Sequence, residues 1–206
     1  MTITATELLI YAGGLFVLFL TPGPVWVALL ARAMSGGFNS AWPLALGVVV
    51  GDVIWPLVAI LGVAWIVEQA DWFMDVLSWV AVVMFVAMGV LLIKNADAKL
   101  SENTSLTRPG MWAGFIAGMV VILSNPKAVL FYMGVLPGFF DLTRVTWPDI
   151  AAICLLSLLV PLIGNLVLAA SVDRMRKVLK APGAVKRMNV VAGWLLIAVG
   201  VVIALA

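Results

Sequence analysis

Two ionisable side chains stand alone inside long apolar runs, and they set the chemistry open to the chain. Asp52 is the twelfth residue of the run 41–67, and Lys127 falls inside the run 109–140. A charge at that depth in an apolar run is expensive to bury and marks a substrate pathway or a proton relay. Asp52 can pair an ammonium and can also hold a proton. Lys127 can attract a carboxylate, or the two can form a neutralising pair that opens when substrate or a proton arrives. Two cap-like dipeptides accompany them: Thr21-Pro22, in Thr21-Pro22-Gly23-Pro24, and Asn125-Pro126, in Ser124-Asn125-Pro126-Lys127. Thr and Asn are good helix N-caps, and Pro is favoured at the first helical position. Both dipeptides read as helix starts where no helix should start, about 20 Å into the run 8–31 and about 24 Å into the run 109–140 at 1.5 Å per residue. A helix start presents free N–H groups and the positive end of a dipole, so two converging starts suit a carboxylate. The bland alternative is that these prolines only kink two packed helices.

The elements that hold these residues follow from composition. Of 206 residues, 65% are hydrophobic and 11% charged, against about 45–50% and about 25% in soluble domains. Six runs, 8–31, 41–67, 76–93, 109–140, 150–172 and 188–206, are almost free of charge and make up most of the chain. A helical span needs about 20 apolar residues, and the remaining polar surface is too small to cover six such runs in water. The expected fold is therefore an all-α polytopic membrane protein of six transmembrane helices, with 1–206 as a single membrane domain. Nucleic-acid binding and secreted disulfide scaffolds are excluded. The single cysteine, Cys154, lies in an apolar run and there is no histidine. That leaves no basis for His-based catalysis, a metal centre or a cofactor.

Ten of the 12 basic residues fall between alternate runs: Arg32; Lys94, Lys99 and Arg108; and Arg174, Arg176, Lys177, Lys180, Lys186 and Arg187. Basic short loops stay in the cytoplasm, which puts both termini outside. Residues 1–7 carry no Lys or Arg, so the first run reads as a span and not as a cleaved signal.

Six spans divide into three plus three, and an odd number per half inverts the second half relative to the first, as in many secondary transporters. The expected repeats are 1–94 and 111–206, each with a broken first helix. Their unusual residues correspond: the Thr21 and Asn125 segments, then Gly51-Asp52 and Gly164-Asn165, with Pro43 and Pro56 answered by Pro161. Asn165 thus stands where Asp52 stands, without the charge. Gly47-x-x-x-Gly51 and Gly114-x-x-x-Gly118 permit close helix approach. Tyr11 and Tyr132 either line a cavity or belong to the core.

The sequence resembles the LysE/RhtB family of amino-acid exporters. The resemblance rests on Thr21-Pro22-Gly23-Pro24, on Gly47-x-x-x-Gly51-Asp52, and on Asn125-Pro126-Lys127-Ala128 followed by Phe131. It implies export of an amino acid or close derivative across the bacterial cytoplasmic membrane, coupled to the proton-motive force. The candidate substrate residues are Thr21, Pro22, Gly23, Pro24, Asp52, Asn125, Pro126 and Lys127, from these motifs, and Asn165, from its correspondence with Asp52. The partners that the resemblance implies are the amino acid, a proton and the lipid bilayer, with a homodimer plausible for so small a carrier. Three other classes stay open at this point: a channel, a cation exporter of the wider superfamily, and an intramembrane enzyme built on Ser124 and Lys127. The missing histidine argues against thiophilic cations and against the enzyme.

Overall fold

The structure is a computed structural model that describes residues 2–67, 73–94, 96, 109–172 and 183–205. Lys99, Arg108, Arg174, Arg176, Lys177 and Lys180 lie outside the described residues, so the charge asymmetry is visible only in part. Among the described residues every regular element is helical: α1 (Ala5–Leu20), α2 (Pro24–Val67), α3 (Phe73–Lys94), α4 (Met111–Leu123), α5 (Pro126–Leu130), a π-helical turn (Phe131–Val135), α6 (Leu136–Phe139), α7 (Trp147–Ala170) and α8 (Ala184–Leu205). Pro24–Gly62 and Trp147–Ala170 are each long and apolar enough to cross a membrane. The pair Met111–Leu123 and Pro126–Phe139, bent by 51°, makes a third span if read as one. Large apolar side chains such as Leu9, Trp79, Trp112, Ile163 and Trp194 point outward, the pattern expected of helices solvated by lipid.

The sequence expectation of a loop over 32–40 gives way to a much tighter turn. Helix α2 runs on through this stretch and is interrupted only at Gly36 and Gly37, with Gly37 at φ 69°. That left-handed value needs glycine. Arg32 is not a loop cation either. It is 1% exposed, and its guanidinium donates to Ser40 O across the turn and to Gly110 O at the start of α4, both at 2.6 Å.

Helix α2 lies along α4 and also along α7, α1 touches α7 less extensively, and α3 lies along α8. The glycine motifs set the closest approaches. A Cβ on Gly47 would sit 1.9 Å from Phe115 O, and one on Gly118 would sit 2.2 Å from Leu44 O. A Cβ on Gly51 would meet Ile122, just before the break at Asn125, and one on Gly164 would meet Phe19, just before the break at Thr21. Gly89 and Gly193 face each other across α3 and α8 in the same reciprocal way.

The two ends of the bundle are tied separately. Asp149, in the first turn of α7, accepts from the N–H groups of Thr2 and Ile3 and from Thr146, which fastens the N-terminal residues beside the loop 140–146. At the other end Arg32 joins the glycine turn to Gly110.

Candidate functional site

The two helix breaks meet. Helix α1 ends at Thr21, whose backbone is extended and whose hydroxyl donates back to Val17 O at 2.9 Å. The chain crosses Pro22 and Gly23 and resumes as α2 at Pro24. Thr21 is therefore the C-cap of the first half-helix and not the N-cap of the second, which corrects the sequence expectation: Pro22 and Gly23 separate that cap from α2, and Pro24 takes the favoured first position. The second break fits the expectation. The Asn125 side chain accepts from Lys127 N at 3.2 Å, and Pro126 opens α5.

Beyond α5 the helix widens into a π turn, with Leu136 N donating to Phe131 O. Pro137 follows at once and has no N–H to offer an α-turn. The wide turn buries Phe131, Tyr132, Gly134 and Val135 together and directs Tyr132 toward α2, where its hydroxyl donates to Asp52 Oδ1 at 3.3 Å. Such turns recur at functional sites.

A cavity of about 40 Å³ lies between the breaks. Its polar wall is Asp52, Asn125, Lys127 and Asn165, with Gly23 beside them. Its apolar wall includes Leu15, Leu18, Phe19, Val48, Ile122 and Pro161. Asp52 and Asn165 are 3% and 2% exposed. Asp52 Oδ2 and Asn165 Oδ1 have no hydrogen-bond partner in the structure. Among the described residues no hydrogen bond ends on the N–H groups of Val25 or Trp26, at the start of α2. By contrast, the start of α5 is closed by Asn125.

Asp52 and Lys127 share the cavity without an ion pair among the described residues. Lys127 Nζ donates instead to Leu18 O at 2.9 Å and Thr21 O at 2.5 Å, satisfying carbonyls left open at the end of α1. It lies against Gly23. Trp26 Nε1 serves Phe19 O at the same helix end, and Trp55 Nε1 reaches Ile122 O at the end of α4.

Of the nine expected site residues, Gly23, Asp52, Asn125, Lys127 and Asn165 line the cavity. Thr21 contributes its backbone carbonyl. Pro24 and Pro126 start helices and face outward, and Pro22 is buried between them. Ser157, a buried serine in the apolar helix α7, bonds Tyr11 at 2.6 Å and does not line the cavity. The described residues hold no cluster of three or more His, Cys, Asp or Glu that a metal would need.

A family model for LysE type translocators matches residues 16–206. The chain belongs to this family. The translocator is 32% identical to a membrane protein of Synechocystis sp., over 98% of this chain and 97% of that one. It is 24% identical to the leucine efflux protein of Salmonella typhimurium, over 73% of this chain and 76% of that one. A membrane protein of Vibrio cholerae is 22% identical over 91% of both chains. No solved structure matches the translocator significantly. Its family is one of transporters, and the relatives whose names state an activity are efflux proteins and not enzymes.

Proposed function

We propose that this translocator exports an amino acid or close derivative across the bacterial cytoplasmic membrane by proton antiport, using the cavity between its two helix breaks. One observation carries the reading: Asp52 Oδ2 and Asn165 Oδ1 are buried acceptors without partners that face one cavity. An unsatisfied buried polar group costs about 1–3 kcal/mol, so such a pair suits a ligand that brings several donors. An α-ammonium does so. The open N–H groups of Val25 and Trp26, at the positive end of α2, suit the carboxylate of the same zwitterion. The apolar wall and the leucine efflux relatives favour an aliphatic side chain. A cavity of about 40 Å³ has room for a few waters and not for an amino acid, so it must widen for the substrate to bind. When the ammonium leaves, Asp52 is free to take a proton, which gives exchange of substrate for proton.

In this reading the chain crosses the membrane six times as two inverted repeats, 1–94 and 111–206, with both termini outside. The reciprocal contacts of Gly51 with Ile122 and of Gly164 with Phe19 support the repeat. The bond of Thr2 to Asp149 supports placing the N-terminus and the loop 140–146 on one side.

The test is a panel of labelled amino acids preloaded into proteoliposomes containing the purified protein. Faster loss of one or more members than from protein-free vesicles is expected. Equal loss across the whole panel would end the exporter reading.

A further inference from the structure

The cavity offers the Lys127 ammonium two sets of partners, and the structure shows it on one of them. Asp52, the acid that shares the cavity, is not its hydrogen-bond partner; Leu18 O and Thr21 O are. Those carbonyls close α1, in the first broken helix, whereas Lys127 stands in the first turn of α5, in the second. Its bonds therefore join the two breaks. In this state Asp52 keeps one oxygen on Tyr132 and leaves the other unpartnered. That arrangement suits a carboxyl that is protonated or bound to substrate; a bare carboxylate facing a cavity that holds a cation would draw the cation in. Lys127 Nζ and Cε lie against Gly23, where a Cβ would meet them at 3.4 and 3.6 Å. Among the described residues, the other titratable groups near Asp52 are Tyr132, on the π turn, and Tyr11, which is bonded to Ser157.

We propose that Lys127 senses whether Asp52 is charged and transmits this to the junction between the two broken helices. With Asp52 neutralised, by a proton or by the substrate ammonium, the Lys127 ammonium is released to Leu18 O and Thr21 O and the repeats can move. With Asp52 charged and empty, Lys127 turns to it, and the pair they form locks the repeats so that the carrier does not cross. Only the loaded and the protonated carrier then exchange sides, so each cycle takes one zwitterion out and returns one proton. The proton binds the Asp52 carboxylate vacated outside and leaves it inside as the next ammonium arrives. This inference rests on the exporter reading above.

The experiment uses proteoliposomes and the labelled amino acid that gives the largest wild-type flux in the panel. Downhill flux, accumulation driven by an imposed pH gradient, and proton entry reported by an internal dye are measured together. Lys127→Met is expected to split them. Downhill flux falls by less than about tenfold, whereas accumulation disappears and substrate moves without protons. Loss of downhill flux as severe as the loss of accumulation makes Lys127 a substrate ligand and overturns the proposal, as does accumulation like that of the wild type. If Lys127→Met is not recovered as a monodisperse protein, the double variant Asp52→Asn with Lys127→Met, which buries neither charge, takes its place. Proton-free downhill flux is expected of it, and proton-coupled flux or no flux overturns the proposal. A wild-type protein that moves no amino acid defeats the exporter reading instead, so the two failures are told apart.

Discussion

Replacing Asp52 with asparagine separates the charge of this side chain from its shape. The amide oxygen can keep the bond that Tyr132 makes to Oδ1. The amide nitrogen would replace Oδ2, an atom that has no partner to lose, and it would bring donors into a cavity that already holds the unpartnered Asn165 Oδ1. Folding should therefore be unharmed, and the melting temperature in detergent should stay level or rise. Substrate binding should suffer. A hydrogen bond to a charged partner is worth about 1.5–3 kcal/mol and a neutral one about 0.5–1.5. The difference, about 1–2 kcal/mol, corresponds to a five- to thirtyfold rise in half-saturation. Accumulation driven by a pH gradient should vanish, because the variant has no carboxyl to carry the proton. The assay is export and accumulation of the labelled substrate by reconstituted Asp52→Asn protein, with its melting curve as the folding control. A well-folded variant that still accumulates substrate like the wild type would show that the coupling proton travels elsewhere, and the role given to Asp52 would fall.

Two further outcomes test the scaffold. Gly47→Ala places a Cβ 1.9 Å from Phe115 O, so α2 and α4 must part; overpacking of this kind costs about 1–3 kcal/mol or more. It should lower the melting temperature, while Gly62→Ala, whose Cβ meets nothing within 4 Å, should not. Reporters active only in the cytoplasm should be silent when fused to either terminus, and activity at both would reverse the proposed orientation.

Much of the site was legible because rare residue types carried it. In so apolar a chain Asp52 and Lys127 stand out by charge, and Asn125-Pro126 signals a helix start by cap chemistry alone; the structure brings these residues to one cavity. The glycine pairs were legible as close contacts, and at Gly47 and Gly118 a Cβ would collide with the backbone of the facing helix. Thr21 misled because threonine serves either end of a helix: its hydroxyl turned back to Val17 O instead of forward. The partner of Lys127 was not legible, since backbone carbonyls at a helix end leave no mark in the sequence. Nor was the burial of Arg32, whose acceptors include the backbone oxygens of Ser40, across the Gly37 turn, and of Gly110, at the start of α4. The π turn that aims Tyr132 depends on Pro137 and on packing around it, and no residue pattern announces it.

The central claim is that a zwitterion crosses by binding between the two helix breaks, one molecule per cycle. Efflux of labelled substrate from preloaded proteoliposomes, measured over a range of internal concentrations with and without unlabelled substrate outside, tests it most directly. A carrier predicts efflux that saturates and that is faster when substrate waits outside, because the loaded carrier returns without needing a proton. Efflux that rises in proportion to concentration and ignores the outer solution would mean an open pathway, and the carrier account would be wrong.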